Sequence, residues 1–167
     1  MQVTIRRART ADVPSIRRLV DGYARERILL NKPTVTLFES LQEFWVAERD
    51  DNAEVVACGA LHVMWEDLAE VRTLAVDRSC RGTGIGHLLL RKLVDTARWI
   101  GVRRIFCLTF EVDFFGKHGF QEIASTPVDA GVYDELLRSY DEGVAEFLDL
   151  ERVKPNTLGN TRMLLHL

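Results

Sequence analysis

Apolar and polar residues alternate over residues 3–7, and a period of two predicts a short first strand. The period then lengthens. Ile16, Leu19, Val20 and Tyr23 recur at helical spacing, and Thr10 ahead of Ala11-Asp12-Val13-Pro14 offers a cap with a first-turn proline. Residues 11–27 are therefore expected to form an amphipathic helix. Asn31-Lys32-Pro33 breaks it, and Leu37, Leu41 and Phe44 suggest a second, short helix. Residues 45–49, 54–64 and 69–76 read as three successive strands, with a turn at Asp50-Asp51-Asn52-Ala53 and a candidate bulge at Gly59. Consecutive strands with short turns predict an antiparallel meander rather than a βαβ opening.

The pattern changes at Asp77-Arg78-Ser79-Cys80-Arg81-Gly82-Thr83-Gly84-Ile85-Gly86, a glycine-rich turn. A helix over residues 85–100 follows, with Leu88, Leu89, Leu93, Ala97 and Ile100 expected on one face and Gly101 as its stop. Residues 104–109 read as a strand, 113–118 as a short helix and 119–124 as another strand. Residues 133–150 are expected to form one inserted helix with Leu136, Leu137, Tyr140, Val144, Phe147 and Leu148 inward. Loop chemistry at 154–156 and 159–160 leads to a terminal strand over 161–167. The order β-α-α-β-β-β-α-β-α-β-α-β is an α+β layer architecture, expected as a single domain over residues 1–167 with a helical insertion at about 127–158.

Composition narrows the function classes. The chain has 167 residues, 47% apolar and 28% charged, which excludes global disorder. Its net charge of −3 supplies no global basic field for nucleic acid. No apolar run approaches the roughly 20 residues of a membrane span, and residues 1–7 lack a signal-peptide pattern, so a cytoplasmic protein is expected. Cys58, Cys80 and Cys107 form no CxxC and have no histidine at metal-ligand spacing. They read as buried thiols, and no metal is expected.

The turn at Arg81-Gly82-Thr83-Gly84-Ile85-Gly86 carries the candidate chemistry. Glycines let successive backbone N–H groups face one concavity, and the following helix adds its unpaired amides and the positive end of its dipole. That combination suits a pyrophosphate, with Arg81 at the rim. A Walker loop would need Lys after the last glycine, and a dinucleotide fingerprint would follow the first strand of a βαβ unit; neither fits here.

Leu74-Ala75-Val76-Asp77 with Arg81-Gly82-Thr83-Gly84-Ile85-Gly86 resembles the acetyl-CoA motif of the GNAT acetyltransferases, and Phe114-Phe115-Gly116-Lys117-His118-Gly119-Phe120 resembles that fold's second signature. Shorter segments, among them Arg27-Ile28-Leu29-Leu30, Val56-Ala57-Cys58-Gly59-Ala60-Leu61 and Arg162-Met163-Leu164-Leu165, are similar to the acetyltransferase domain of bacterial N-acetylglutamate synthases. The resemblance implies a mixed, mainly antiparallel sheet flanked by helices, with strands splayed at the acetyl-CoA site. It implies that Leu74, Ala75, Val76, Arg81, Gly82, Thr83, Gly84, Ile85 and Gly86 contact acetyl-CoA. It also implies acetyl transfer to the α-amine of glutamate, or of glutamine, for arginine biosynthesis.

An α-amino acid enters as an ammonium, so a base must remove a proton before attack, and the developing oxyanion needs a donor. Glu70 is the leading base, expected to share a strand face with Arg72, Leu74 and Val76; His62 is the weaker candidate, and a solvated Glu70–Arg72 face is the bland alternative. Where many family members have a tyrosine acid, this chain has Phe115. A CoA thiol, with a pKa near the roughly 8.5 of Cys, leaves without one. The substrate's carboxylates call for Arg or Lys: Lys32, Arg72 and Arg162 are the expected anchors, with Arg25 and Arg27 as further candidates. Trp45, Trp65 and Trp99 read as packing residues. A GNAT acting on a protein N-terminus or another small amine, and a non-catalytic acetyl-CoA sensor, stay open, as does a homodimer.

Overall fold

The computed structural model describes residues 1–26, 32–156 and 159–167. Seven strands form one sheet in the order β1-β2-β3-β4-β5-β7-β6: β1 Val3–Arg7, β2 Phe44–Arg49, β3 Val55–Trp65, β4 Leu68–Val76, β5 Arg104–Thr109, β6 Gln121–Glu122 and β7 Thr161–His166. All neighbours are antiparallel except β4 and β5. The expected mixed, mainly antiparallel α+β fold is present.

Helices cover both faces. On one, α3 (Ile85–Ile100) and α4 (Val112–Gly116) pack on Leu61, Ala69, Val71, Ile105, Cys107 and Met163. On the other lie two separate apolar clusters. In the first, α1 (Val13–Ala24) and α2 (Thr34–Glu39) pack on Val46, Cys58, Ala60 and Ala75. In the second, α5 (Ala130–Leu136) and α6 (Glu142–Phe147) pack on Met64, Leu68, Phe106 and Leu164.

The insertion differs from expectation. It is two helices rather than one, because Ser139-Tyr140-Asp141 intervenes and the Asp141 side chain accepts the amide N–H of Val144, capping a new start. Tyr140 and Leu137 consequently face solvent, while Leu136, Val144, Phe147 and Leu148 are buried. Residues 151–156 form a 3-10 helix where a loop was expected. On α3, Leu88 and Ile100 are exposed, and Leu90 and Val94 take the inward positions instead.

The decisive irregularity lies in β4. Cys58 pairs with Ala75 and Ala60 with Arg72, so two residues of β4 oppose Gly59. The extra residue sits on β4, where Thr73 has φ +57°. One inserted residue reverses the inside–outside alternation. Glu70 and Arg72 therefore face the α1 and α6 side, whereas Leu74 and Val76 pack toward α3. The expectation that all four share one face is wrong for this reason.

The β4–β5 ladder runs only from Leu68–Arg104 to Glu70–Phe106. Beyond Glu70, β5 goes on pairing with β7 while β4 follows β3. The strands splay, and the edge of β4 beyond Glu70 has no β5 partner.

Gly59 lies where the side chains of Leu74 and of α3 crowd the bulge. A Cβ there would meet Leu74 Cδ1 at 2.9 Å and Leu93 Cδ1 at 3.0 Å. Gly59→Val should therefore destabilise the fold by about 1–3 kcal/mol despite valine's preference for strands; urea unfolding measures this, and an unchanged midpoint would contradict the overlap.

Candidate active site

The glycine turn is an open cradle. Gly82 and Gly84 adopt φ of +76° and +85°, which favours glycine, and no atom lies within 4 Å of where their Cβ atoms would sit. Among the described residues no hydrogen bond takes the amide N–H of Gly82 or Gly84. Gly84 opens α3, so the free amides of its first turn point into the same space. Arg81 is exposed beside Tyr23, with Nη2 3.3 Å from the phenol oxygen. Tyr23 in turn donates to the carbonyl of Val76 at 2.6 Å and so ties α1 to the end of β4. Ala75 and Ile85 have buried side chains, so their contribution to the cradle is main chain only. Thr83 uses its hydroxyl on the Cys80 carbonyl at 2.6 Å.

Where β4 leaves β5, a charged cluster fills the seam between the two apolar clusters of that face. Along β3 the seam falls at His62, between Ala60 and Met64; along β4 it falls at Glu70 and Arg72, between Leu68 and Ala75. Arg72 Nε donates to Glu70 Oε2 at 2.8 Å, and Nη2 donates to the same oxygen. Nη1 and Nη2 donate to the two oxygens of Asp141, both at 2.8 Å. His62 Nδ1 lies 2.8 Å from Glu43 Oε1, and its Nε2 lies 3.8 Å from Asp141. α6 comes this close because residue 143 is glycine: a Cβ there would overlap the Glu70 carboxylate and the Arg72 guanidinium.

Burial sets the charge states. It works against an ionised Asp141, but the hydrogen bonds and charge of Arg72 outweigh it and hold the carboxyl well below its usual range. Lys32 is lowered, first by burial and then by Arg72, with Glu70, Asp141 and Glu43 pulling the other way. Among the described residues its ammonium has no hydrogen-bond or ion-pair partner, and its charge faces this cluster. Burial and the Glu70 charge push the carboxyl of Glu146, on α6, up to about 8.

The structure thus brings Lys32, Glu70, Arg72 and His62 together. Glu70, expected as a base, is buried and serves as counter-ion to Arg72. Arg162 is not part of the cluster. Its guanidinium donates to the carbonyls of Ser125 and Phe147 and to Thr126, stapling the insertion to β7. Its two terminal nitrogens are engaged there, while its Nε is buried without a partner among the described residues. Arg25 is exposed at the end of α1, and Arg27 lies outside the described residues, as do 28–31. Phe115 is buried edge-on between Phe114 and Phe120. Cys58, Cys80 and Cys107 are buried, and burial pushes the Cys58 thiol up to about 12. Trp45 and Trp65 pack against core residues, whereas Trp99 is exposed. Among the described residues no group of three or more metal-ligating side chains occurs, and no helix is long and apolar enough to cross a membrane.

Sequence reasoning missed Asp141 and Glu146. The signal for Asp141 was its position as a capping residue three before Val144, which also marks the helix break. Nothing in the pattern distinguished Glu146 from a solvated glutamate.

The model described as the acetyltransferase (GNAT) family matches residues 14–120, and the chain belongs to that family. It is an acetyltransferase of the GNAT fold. It is 60% identical over 162 residues to an amino-acid acetyltransferase of Mycobacterium tuberculosis, covering 96% of this chain and 92% of that one. A Mycobacterium tuberculosis crystal structure holding CoA and NLQ superposes with a TM-score of 0.95 at 60% identity, covering 98% and 99% of the chains. N-acetylglutamate synthase from Neisseria gonorrhoeae, complexed with coenzyme A and N-acetyl-glutamate, gives 0.78 at 25% identity; all of this chain matches 35% of that one.

Asp141 caps α6 and neutralises Arg72 at once. Asp141→Asn keeps a capping oxygen but loses the charge and should cost about 2 kcal/mol; Asp141→Ala should cost about 1 kcal/mol more. Because the folded carboxyl is held below its unfolded value, the wild-type advantage over Asp141→Asn is full above pH 3.8 and shrinks as pH falls below it. Denaturation curves at several pH values read both effects.

Proposed function

We propose that this protein transfers the acetyl group of acetyl-CoA to the α-amine of L-glutamate, with L-glutamine as the runner-up, and that the product, N-acetylglutamate, enters arginine biosynthesis. The observation that carries the reading is the unpaired edge of β4 opening beside an unfilled glycine cradle.

The residues present fit the cosubstrate. The amides of Gly82, Gly84 and the first turn of α3 hold the diphosphate, with Arg81 at the rim. The pantetheine arm pairs with the main chain of Leu74, Ala75 and Val76 as an added strand. That directs the thioester to the fork where β4 and β5 part, beside Glu70 and Arg72. A main-chain N–H of β4 polarises the thioester carbonyl as negative charge develops on its oxygen.

The amino acid enters the seam between α1–α2 and the insertion. Lys32, half-buried and without an ionic partner among the described residues, takes a substrate carboxylate. Arg72, fixed by Glu70 and Asp141, adds positive potential beside it. The 60% identical relative bears the name amino-acid acetyltransferase, and the gonococcal neighbour was solved with N-acetyl-glutamate. Both support an amino acid over a peptide or polyamine.

Thiol release measured with glutamate, glutamine, spermine and a peptide tests the assignment. Glutamate or glutamine should give the highest kcat/KM; release with the peptide alone would overturn it. Lys32→Ala should raise the amino-acid KM about 10-fold or more with little change for acetyl-CoA. Gly84→Val should abolish acetyl-CoA binding in calorimetry, because the side chain enters the cradle.

A further inference from the structure

We propose that Glu146, on helix α6 of the insertion, accepts the proton that the incoming α-ammonium must lose; this rests on the acyl-transfer reading above. The geometry singles it out among the carboxylates of the seam. Gly143 presses α6 onto the Glu70–Arg72 pair, and Glu146 lies three residues on, on the same helical face. Its residue surface is only 8% exposed. Glu70 and Asp141 both accept hydrogen bonds from Arg72. The Glu146 carboxylate has no hydrogen-bond or ion-pair partner among the described residues. It is a buried acid with its acceptor positions uncommitted.

The groups around it come from every element that borders the seam. β4 supplies Glu70 and Arg72, the segment ahead of α2 supplies Lys32, and the start of α6 supplies Asp141. His62 of β3 and Glu43 complete the charged wall. Burial and the Glu70 charge raise the Glu146 carboxyl to about 8, against the pull of Arg72 and Lys32. A base poised there is matched to an amine, whereas an ordinary carboxylate is too weak to deprotonate one. The residue lies beyond the portion of the chain that the family model matches, so it belongs to the insertion rather than to the shared acetyl-CoA machinery.

The step balances as follows. Ionised Glu146 takes one proton from the substrate –NH3+, leaving a neutral amine and a neutral carboxyl. The amine lone pair forms the C–N bond at the thioester carbonyl carbon. The C–S bond breaks, and its electron pair leaves on sulfur as CoA thiolate. The remaining surplus proton on nitrogen passes to that thiolate or to solvent, and Glu146 returns its own proton to solvent.

The test is the pH dependence of kcat/KM for L-glutamate in wild type, Glu146→Gln and Glu70→Gln, with acetyl-CoA affinity by calorimetry. Wild type should show an acid limb with its midpoint near pH 8. Glu146→Gln should lower kcat/KM about 100-fold or more at pH 8, flatten that limb and leave acetyl-CoA affinity unchanged. Glu146→Asp should recover part of the rate. A limb that persists in Glu146→Gln, or vanishes only in Glu70→Gln, overturns the proposal while leaving acyl transfer intact. Wild type that releases no thiol with any amino acid overturns the functional reading and this proposal with it.

Folding of the variant is checked independently. The folded state holds the Glu146 proton more tightly than the unfolded chain, whose value is 4.5, so wild-type stability falls as pH rises from there through about 8. Glu146→Gln lacks that loss and should have the higher Tm at pH 9. A lower Tm there would place Glu146 in an ion pair and overturn its role as an uncommitted acid.

Discussion

The separation of β4 from β5 after Glu70 is the constraint on which the rest of this molecule depends. A parallel pair that stayed zipped would satisfy its own main chain and leave nothing for a ligand to bond. Here β5 is held by β7 along its whole length, and β4 is carried off by β3. The bulge at Thr73 sharpens that departure, since one extra residue bends and twists its strand. The same bulge turns Leu74 and Val76 toward α3 while Glu70 and Arg72 face the opposite layer. One strand thereby carries an edge that β5 leaves open and a charged seam on its surface.

The seam needs its own accounting. Arg72 is 11% exposed at the side chain and Glu70 4%, so neither charge would persist there alone. They persist because Asp141 closes the network from α6 and also starts that helix. The insertion is therefore one wall of the charged seam. Arg162 fixes it from behind through the carbonyls of Ser125 and Phe147. Among the described residues, Lys32 and Glu146 remain as the cation and the acid that the network leaves uncommitted.

Much of the architecture was legible in the chain. The strand alternations, the helix at residues 85–100 and the glycine turn each depend on neighbours within a few positions, and period and backbone freedom report those directly. Errors cluster where a distant contact decides. Leu88 and Leu90 are both plausible inward residues by spacing, and only the packing of α3 against the sheet buries Leu90 and leaves Leu88 exposed. Arg162 shows the same dependence: its place on the last strand does not reveal that its guanidinium meets the carbonyls of Ser125 and Phe147.

What the sequence by itself determined is the cradle and the layer order: Gly82 and Gly84 can hold positive φ whatever surrounds them, and a period of two or of 3.6 needs no partner to be read. Only the tertiary structure decided the assignment among the carboxylates. Whether Glu70, Asp141 or Glu146 is paired, capping or uncommitted depends on which charges stand within a few ångströms after residues some 70 positions apart are brought together, and on how much water remains between them.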